Sequence, residues 1–246
     1  TSGDVQIGLI GASSVLNAVA GGIDLQLLGS LSNRSIFGLA VRPGIKGRED
    51  LRGGRFGVSS IGGIIWLRTM LALEKLGLDQ QKDNIRILII GDAPVLSRAL
   101  EVGTIDAVTF EPFFLSRLKE KGFPILYNFD LPMASIALVA RRAYIQAHFE
   151  TLENTVKAVV ESIAFVLAPR NKPVVLNTIM KHLRISDPAI AEDGYQELLK
   201  GVDRKPYASI EGLRNIQKAM SIYNPTVSNL KLEDLIETRF IRKLDE

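Results

Sequence analysis

Short apolar runs with β-strand character alternate with helical stretches through the first 140 residues of this chain. The clearest run is Ile85–Ile90, which is rich in β-branched residues and typical of a parallel strand buried on both faces. Strands that alternate with helices of about 10 to 15 residues are characteristic of βαβ units. The pattern therefore predicts an α/β fold with parallel sheets.

The second part of the chain has a different pattern. Residues 142–246 are predicted to be helical almost throughout, and the last helix is predicted over Leu232–Phe240. The chain of 246 residues is long enough for one or two domains with a sizeable core.

Composition excludes several classes of protein. The absence of cysteine excludes disulfide scaffolds, thiolate metal sites and cysteine nucleophiles. The formal net charge of +3 is spread along the chain, which favours solvated helix faces over a nucleic-acid surface. No apolar run reaches the length of a membrane span, and Thr1–Val5 does not resemble a signal peptide.

Ligands of open α/β sheets lie outside the carboxyl ends of the strands, so the loops at those ends are the candidate binding elements. Several of these loops are small and polar, contain glycine and lead into a predicted helix. The predicted ligand-binding residues are Ser13, Ser14, Ser59, Ser60, Gly62, Gly63, Asp92 and Glu111.

The loop Ser59–Gly63 is the best anion site among them. Its small residues allow backbone N–H groups to approach a ligand, and the following helix N-terminus attracts negative charge. The simpler interpretation is that Ser59 or Ser60 caps this helix, and the same alternative holds for Ser13 and Ser14.

The acidic candidates also have two interpretations. Asp92 fits the N-cap of a helix, and Glu111 suits either a ligand amine or hydroxyl or the start of the next helix. Trp66 is predicted to be a core residue. His148 and His182 are predicted on polar helix surfaces, so the sequence indicates no catalytic residue, no metal site and no cofactor.

Three motifs in a fixed order resemble the substrate-binding proteins of ABC importers, above all the nitrate/sulfonate/taurine and thiamine-precursor types. The motifs are DLRGGRFGVS, LEKLGL and ALEVGTIDA, at Asp50–Ser59, Leu73–Leu78 and Ala99–Ala107. The resemblance implies a type II periplasmic-binding-protein fold, with two Rossmann-like α/β lobes joined by two crossing strands and a helical C-terminal part.

The same resemblance gives the expected domain boundaries. One lobe would comprise residues 1–41 and 138–246, the other residues 42–137, with crossings at Phe37–Val41 and Met133–Ala140. Family members begin with a strand–helix–strand segment that is expected to be missing here.

The implied function is that of an extracytoplasmic solute-binding protein. Such a protein binds a small anionic solute between its lobes and delivers it to the transmembrane permease, its protein partner, without nucleic acid and as a monomer. The implied location is periplasmic, or extracellular at the membrane through the permease or a lost lipid anchor. Two alternatives stay open: an enzyme of the pyrimidine-precursor or menaquinone-pathway type, and the effector-sensing domain of a regulator.

Overall fold

The computed structural model of the chain describes residues 4–183 and 185–245. These residues form two compact units. The first unit contains the described residues up to Ser35 and those from Pro132 onward, and the second contains Ile36–Leu131. The sequence places the boundaries after residues 41 and 137, whereas the structure has them six residues earlier, after residues 35 and 131.

Strands and helices alternate up to residue 141, as predicted. Beyond residue 141 the described chain forms helices. The strands are β1 (Ile7–Gly11), β2 (Leu25–Ser30), β3 (Arg34–Val41), β4 (Arg55–Val58), β5 (Arg86–Ile89), β6 (Ala107–Phe110), β7 (Ile125–Pro132) and β8 (Ile136–Arg141). The α-helices are α1 (Ala12–Ala20), α2 (Ile64–Lys75), α3 (Ala93–Glu101), α4 (Pro112–Glu120), α5 (Arg142–Ala147), α6 (Phe149–Leu167), α7 (Lys172–Leu183), α8 (Pro188–Gly201), α9 (Ile210–Met220) and α10 (Arg239–Asp245).

The second unit is built on a sheet with the strand order β5-β4-β6-β3-β7. β4 runs parallel to both β5 and β6, as βαβ connections through α2 and α3 require. β3 runs antiparallel to β6. The predicted parallel α/β arrangement is therefore confirmed for β4, β5 and β6, and the loops after these three strands leave from one edge of the sheet.

The prediction that Ile85–Ile90 is buried on both faces is wrong. β5 is an edge strand of the sheet; Ile85 is buried, but the side chain of Ile89 is 63% exposed. A short apolar run without alternation does not distinguish a central strand from an edge strand, because that difference depends on the rest of the sheet.

The first unit differs from the expected parallel sheet. Its described strands have the order β1-β8-β2, and β8 is antiparallel to both neighbours. β1 and β2, which α1 connects, are not neighbours in the sheet. β8 lies between them and runs in the opposite direction to both. β1 is an edge strand within the described residues, and its Leu9 side chain is 53% exposed.

The chain passes between the units in β3 and at the end of β7, slightly earlier than the expected crossings at Phe37–Val41 and Met133–Ala140. Within the first unit, the segments next to the two crossings bond to each other. The backbone N–H of Met133 donates to the Asn33 carbonyl at 2.8 Å, and that of Ser135 donates to the Ser32 carbonyl at 2.9 Å.

The helical C-terminal part is confirmed, but the single helix predicted over Leu232–Phe240 is interrupted. A 3-10 turn covers Leu232–Leu235, and α10 begins at Arg239. Between them Ile236 bridges to Leu27, and the Glu237 N–H donates to the Leu27 carbonyl at 2.8 Å. Pairing with β2 keeps this segment extended. Among the described residues, no helix is long and apolar enough to cross a membrane.

A carboxylate joins three strands at the amino edge of the second unit's sheet. Asp106 accepts hydrogen bonds from the Arg55 side chain at 2.9 Å and from the Arg55 backbone N–H at 2.8 Å, and it pairs with Arg42. These contacts, led by the Arg55 side chain, lower the pKa of Asp106 from 3.8 to about 2. Because the folded pKa is depressed, this stabilisation is present above pH 4 and is lost as the pH falls towards 2.

We expect Asp106→Asn to lower the free energy of unfolding by about 2 kcal/mol at pH 7, since a carboxylate with this pKa shift contributes that much. The difference from the unsubstituted protein should shrink between about pH 4 and pH 2. Denaturant unfolding at several pH values measures both effects. Asp193→Asn, at an exposed position of α8, is the control. A difference that stays constant over this range would show that the Asp106 carboxylate charge is not responsible.

Candidate functional site

The loop after β4 forms a tight turn at the beginning of α2. The Gly63 N–H donates to the Ser60 carbonyl at 3.3 Å, and Gly62 has a φ of 77°, which favours glycine. A Cβ on Gly63 would lie 2.6 Å from the Ser60 hydroxyl oxygen and 3.5 Å from that of Ser59. Both hydroxyls therefore lie close to Gly63, the residue immediately before the helix.

No side chain caps the N-terminus of α2. The N-cap residue is Gly63, so neither Ser59 nor Ser60 has the capping role of the simpler interpretation. The N–H groups of Ile64 and Ile65 belong to the first turn and have no carbonyl within the helix to bond. Backbone donors, two hydroxyls and the positive end of the helix dipole thus lie together, a combination that suits an anion.

Glu111 lies at the same sheet edge, next to this loop. β4 and β6 pair in parallel with Phe56 opposite Ala107. Counting on from this pair, Ser60 and Glu111 are corresponding positions just beyond the strand ends. Glu111 is the N-cap residue of α4, but its carboxylate does not cap the helix. It forms an ion pair with Arg68 instead.

Arg68 comes from the second turn of α2 and is a candidate site residue that the sequence did not predict. Its guanidinium pairs with Glu111 and lies 5.9 Å from the centre of the Phe37 ring, within cation–π range. Phe37 is the β3 residue opposite Glu111 in the register of β3 with β6. The available signal was that Arg68 is the one charged residue in the apolar run 64–73.

Two buried threonines hold α2 against β6. The hydroxyls of Thr69 and Thr109 lie 3.1 Å apart, and each donates to the Ile65 carbonyl, at 2.8 and 3.1 Å. Both threonines are fully buried. Because Thr69 follows Arg68 and Thr109 lies two residues before Glu111, this contact brings the backbone segments of the two charged residues together.

Asp92 follows β5 and caps α3. Its side chain accepts a hydrogen bond from the Val95 N–H at 3.3 Å, and Pro94 occupies the first turn. The carboxylate is exposed. The structure thus gives Asp92 the capping interaction; its predicted contact with a ligand stays a prediction.

The serines of the first unit lie at the beginning of α1. Ser13 is half-buried and Ser14 is exposed. Gly11 is the N-cap residue of α1 without a side-chain cap, and the Ala12 N–H donates to the Ser135 carbonyl at 3.1 Å. Neither serine is the N-cap residue, and their predicted contact with a ligand stays a prediction.

The sequence predicts Trp66 in the core and both histidines on polar helix surfaces. Trp66 is buried in the core, which confirms that prediction. His182 is exposed on α7 as predicted, whereas His148 is exposed but lies between α5 and α6 rather than within a helix. Within residues 4–183 and 185–245, no group of three acidic, histidine or cysteine side chains could hold a metal ion.

The model of the NMT1/THI5-like family matches residues 1–172, more than half of the chain. The chain belongs to the NMT1/THI5-like family. This finding supports the resemblance drawn from the three motifs, all of which lie within the matched region. No curated protein matches the chain significantly.

The solved structures that resemble this chain have the periplasmic binding protein fold. The aliphatic sulphonate binding protein SsuA from Escherichia coli has a TM-score of 0.71 at 18% identity, over 96% of this chain and 76% of its own. A Candida albicans gene product described as having the generic periplasmic binding protein fold has a TM-score of 0.70 at 15% identity, over 96% and 80%. The enzyme DszB, in complex with biphenyl-2-sulfinic acid, has a TM-score of 0.60 at 16% identity, over 98% and 85%.

If Asp92 acts as a cap, removing its oxygen should destabilise the protein but removing its charge should not. We expect Asp92→Ala to lower the free energy of unfolding by about 1 kcal/mol and Asp92→Asn to change it by only a few tenths. Denaturant unfolding of the two variants under the same conditions measures this. Equal losses in both variants would indicate that the negative charge, rather than the cap, stabilises α3.

Proposed function

We propose that this protein is the solute-binding component of an ABC importer. It binds a small anionic solute, organic or inorganic, of the sulfonate, nitrate or taurine kind and delivers it to the permease. The observation that carries the proposal is the donor-rich start of α2 at the carboxyl edge of the second unit's sheet, in a chain of the NMT1/THI5-like family. Binding proteins such as SsuA among the structural relatives support it.

The binding mode follows from the loop chemistry. Gly62 and Gly63 allow an anion to approach the backbone, and the Ser59 and Ser60 hydroxyls donate to its oxygens. The family resemblance assigns Ser13 and Ser14 of the first unit to the same ligand. In the binding proteins that the chain resembles, a conformational change on ligand binding reports occupancy to the permease.

The proposed cycle uses no cofactor and no covalent chemistry. Its partners are the small solute and the transmembrane subunits, and its place is outside the cytoplasm, in the periplasm or at the outer face of the membrane. We expect a monomer, because one chain carries both lobes.

A thermal-shift screen of the full-length gene product against inorganic anions, organic anions and amines tests the proposal. A ligand at one hundred times its dissociation constant stabilises a protein by about 2.7 kcal/mol. For a chain of this size, that corresponds to a rise in melting temperature of several degrees. A cooperative melt that no compound shifts would contradict the solute-binding role.

Replacing both loop serines, Ser59→Ala with Ser60→Ala, should weaken binding of the identified ligand about tenfold or more, since two hydrogen bonds to a charged group are lost. Ser162→Ala is the matched control, because Ser162 is exposed on α6 and bonds to its own helix. Calorimetric titration measures the affinities. Unchanged affinity in the double variant would exclude this loop as the ligand contact.

An enzyme on the same scaffold is the second candidate function, because the enzyme DszB shares the fold, although this chain has no cysteine. Incubation of the protein with biphenyl-2-sulfinate, followed by mass spectrometry of the organic products and an assay for released sulfite, tests it directly. Turnover above a heat-denatured control would replace the binding role with a catalytic one.

A further inference from the structure

The ion pair between Arg68 and Glu111 is asymmetric in its exposure. The Arg68 side chain is 14% exposed, whereas that of Glu111 is 43% exposed. Arg68 is therefore the fixed and largely desolvated partner. Glu111 is the partner that water or a ligand can reach.

Several contacts hold Arg68 in place. Its helix is attached to β6 by the buried Thr69–Thr109 pair, and its guanidinium lies against the Phe37 ring. Phe37 is itself buried and stacks on Phe129 with ring centres 5.0 Å apart. These contacts hold the cation at the Glu111 side chain, next to the strand end from which the Ser59–Gly63 loop leaves.

A guanidinium does not lose its proton in a protein, so a largely buried arginine needs a counter-ion. Glu111 provides one from within the chain. An anion that approaches the start of α2 therefore meets a pair with no net charge, and it must share Arg68 with a carboxylate that repels it. An ammonium or hydroxyl group of the ligand would meet an acceptor in Glu111.

We propose that Glu111 is the internal counter-ion of Arg68 and sets the charge selectivity of the ligand site, against simple anions and in favour of anions that carry their own cationic or donor group. This inference rests on the proposed function and deepens it. It assigns Arg68 and Glu111 a joint role in choosing the ligand. Glu111 acts here as a specificity residue: the Ser59–Gly63 loop attracts anions, and Glu111 lowers the affinity of the site for simple anions.

The test compares two probes that differ by a single ammonium group, propane-1-sulfonate and 3-aminopropane-1-sulfonate, with sulfate as a dianion. Glu111→Gln removes the charge and keeps the size of the side chain. Glu120→Gln removes the same charge from the other end of α4, about 13 Å along the helix, and is the matched control. Circular dichroism establishes that each variant is folded.

We expect the Glu111→Gln protein to gain affinity for propane-1-sulfonate and sulfate by about tenfold or more relative to the Glu120→Gln protein. The ratio of aminosulfonate to sulfonate affinity should fall by a similar factor. Arg68→Gln added to Glu111→Gln should abolish the gain. If Glu111→Gln does not fold, Glu111→Ala is expected to change the selectivity in the same direction.

Equal responses of the Glu111→Gln and Glu120→Gln proteins to all three probes would overturn the proposal, and so would a gain that survives loss of Arg68. This outcome is separate from failure of the proposed function. The proposed charge selectivity is judged by the difference in probe affinity between the Glu111→Gln and Glu120→Gln proteins. A variant that binds a probe which the unsubstituted protein does not bind counts as a gain. The solute-binding role is judged by the screen of the unsubstituted protein.

Discussion

The Asp106 carboxylate sets the alignment of the second unit's sheet. β4 and β6 run parallel with Phe56 opposite Ala107. The Arg55 side chain and backbone N–H, at the start of β4, both donate hydrogen bonds to Asp106, which precedes β6. These bonds join the beginnings of the two strands. Arg42 brings the end of β3 to the same carboxylate. Strands of only four residues keep this alignment to their other ends. The alignment at the amino edge therefore makes Ser60 and Glu111 corresponding positions at the carboxyl edge.

The motifs that identify the family lie mostly at that amino edge, away from the candidate ligand loops. Asp50 accepts N–H groups from the preceding turn, Arg52 pairs with Asp83, and Arg48 donates to the carbonyl of Leu76 at the end of α2 at 3.1 Å. These contacts stabilise the fold and do not touch the loops at the opposite edge. Because these contacts and the loops lie at opposite edges, the loops of this chain could change without loss of the contacts that stabilise the sheet. SsuA and the enzyme DszB, which are 18% and 16% identical to this chain, share its fold.

The sequence predicts what depends on local chemistry and fails where distant strands decide. The cap at Asp92 and the burial of Trp66 follow from neighbouring residues, and the structure agrees. The edge position of β5 and the antiparallel entry of β8 depend on which strands pair. The pairing of Arg68 with Glu111 depends on the register of β4 with β6, which no local pattern encodes. The sequence signal for this ion pair was Arg68 itself, the one charged residue in the apolar run 64–73.

An internal counter-ion also suits a protein that must release what it binds. A desolvated arginine without a partner would hold any anion strongly, because leaving it unpaired is costly. If the site binds an anion as proposed, Arg68 would exchange its ion pair with Glu111 for one with the ligand, and the pair with Glu111 could form again on release. The Thr69–Thr109 contact attaches α2, which carries Arg68, to β6, which leads to Glu111. Under the proposed function, the affinity of the site is thus limited by the same residue that gives it selectivity.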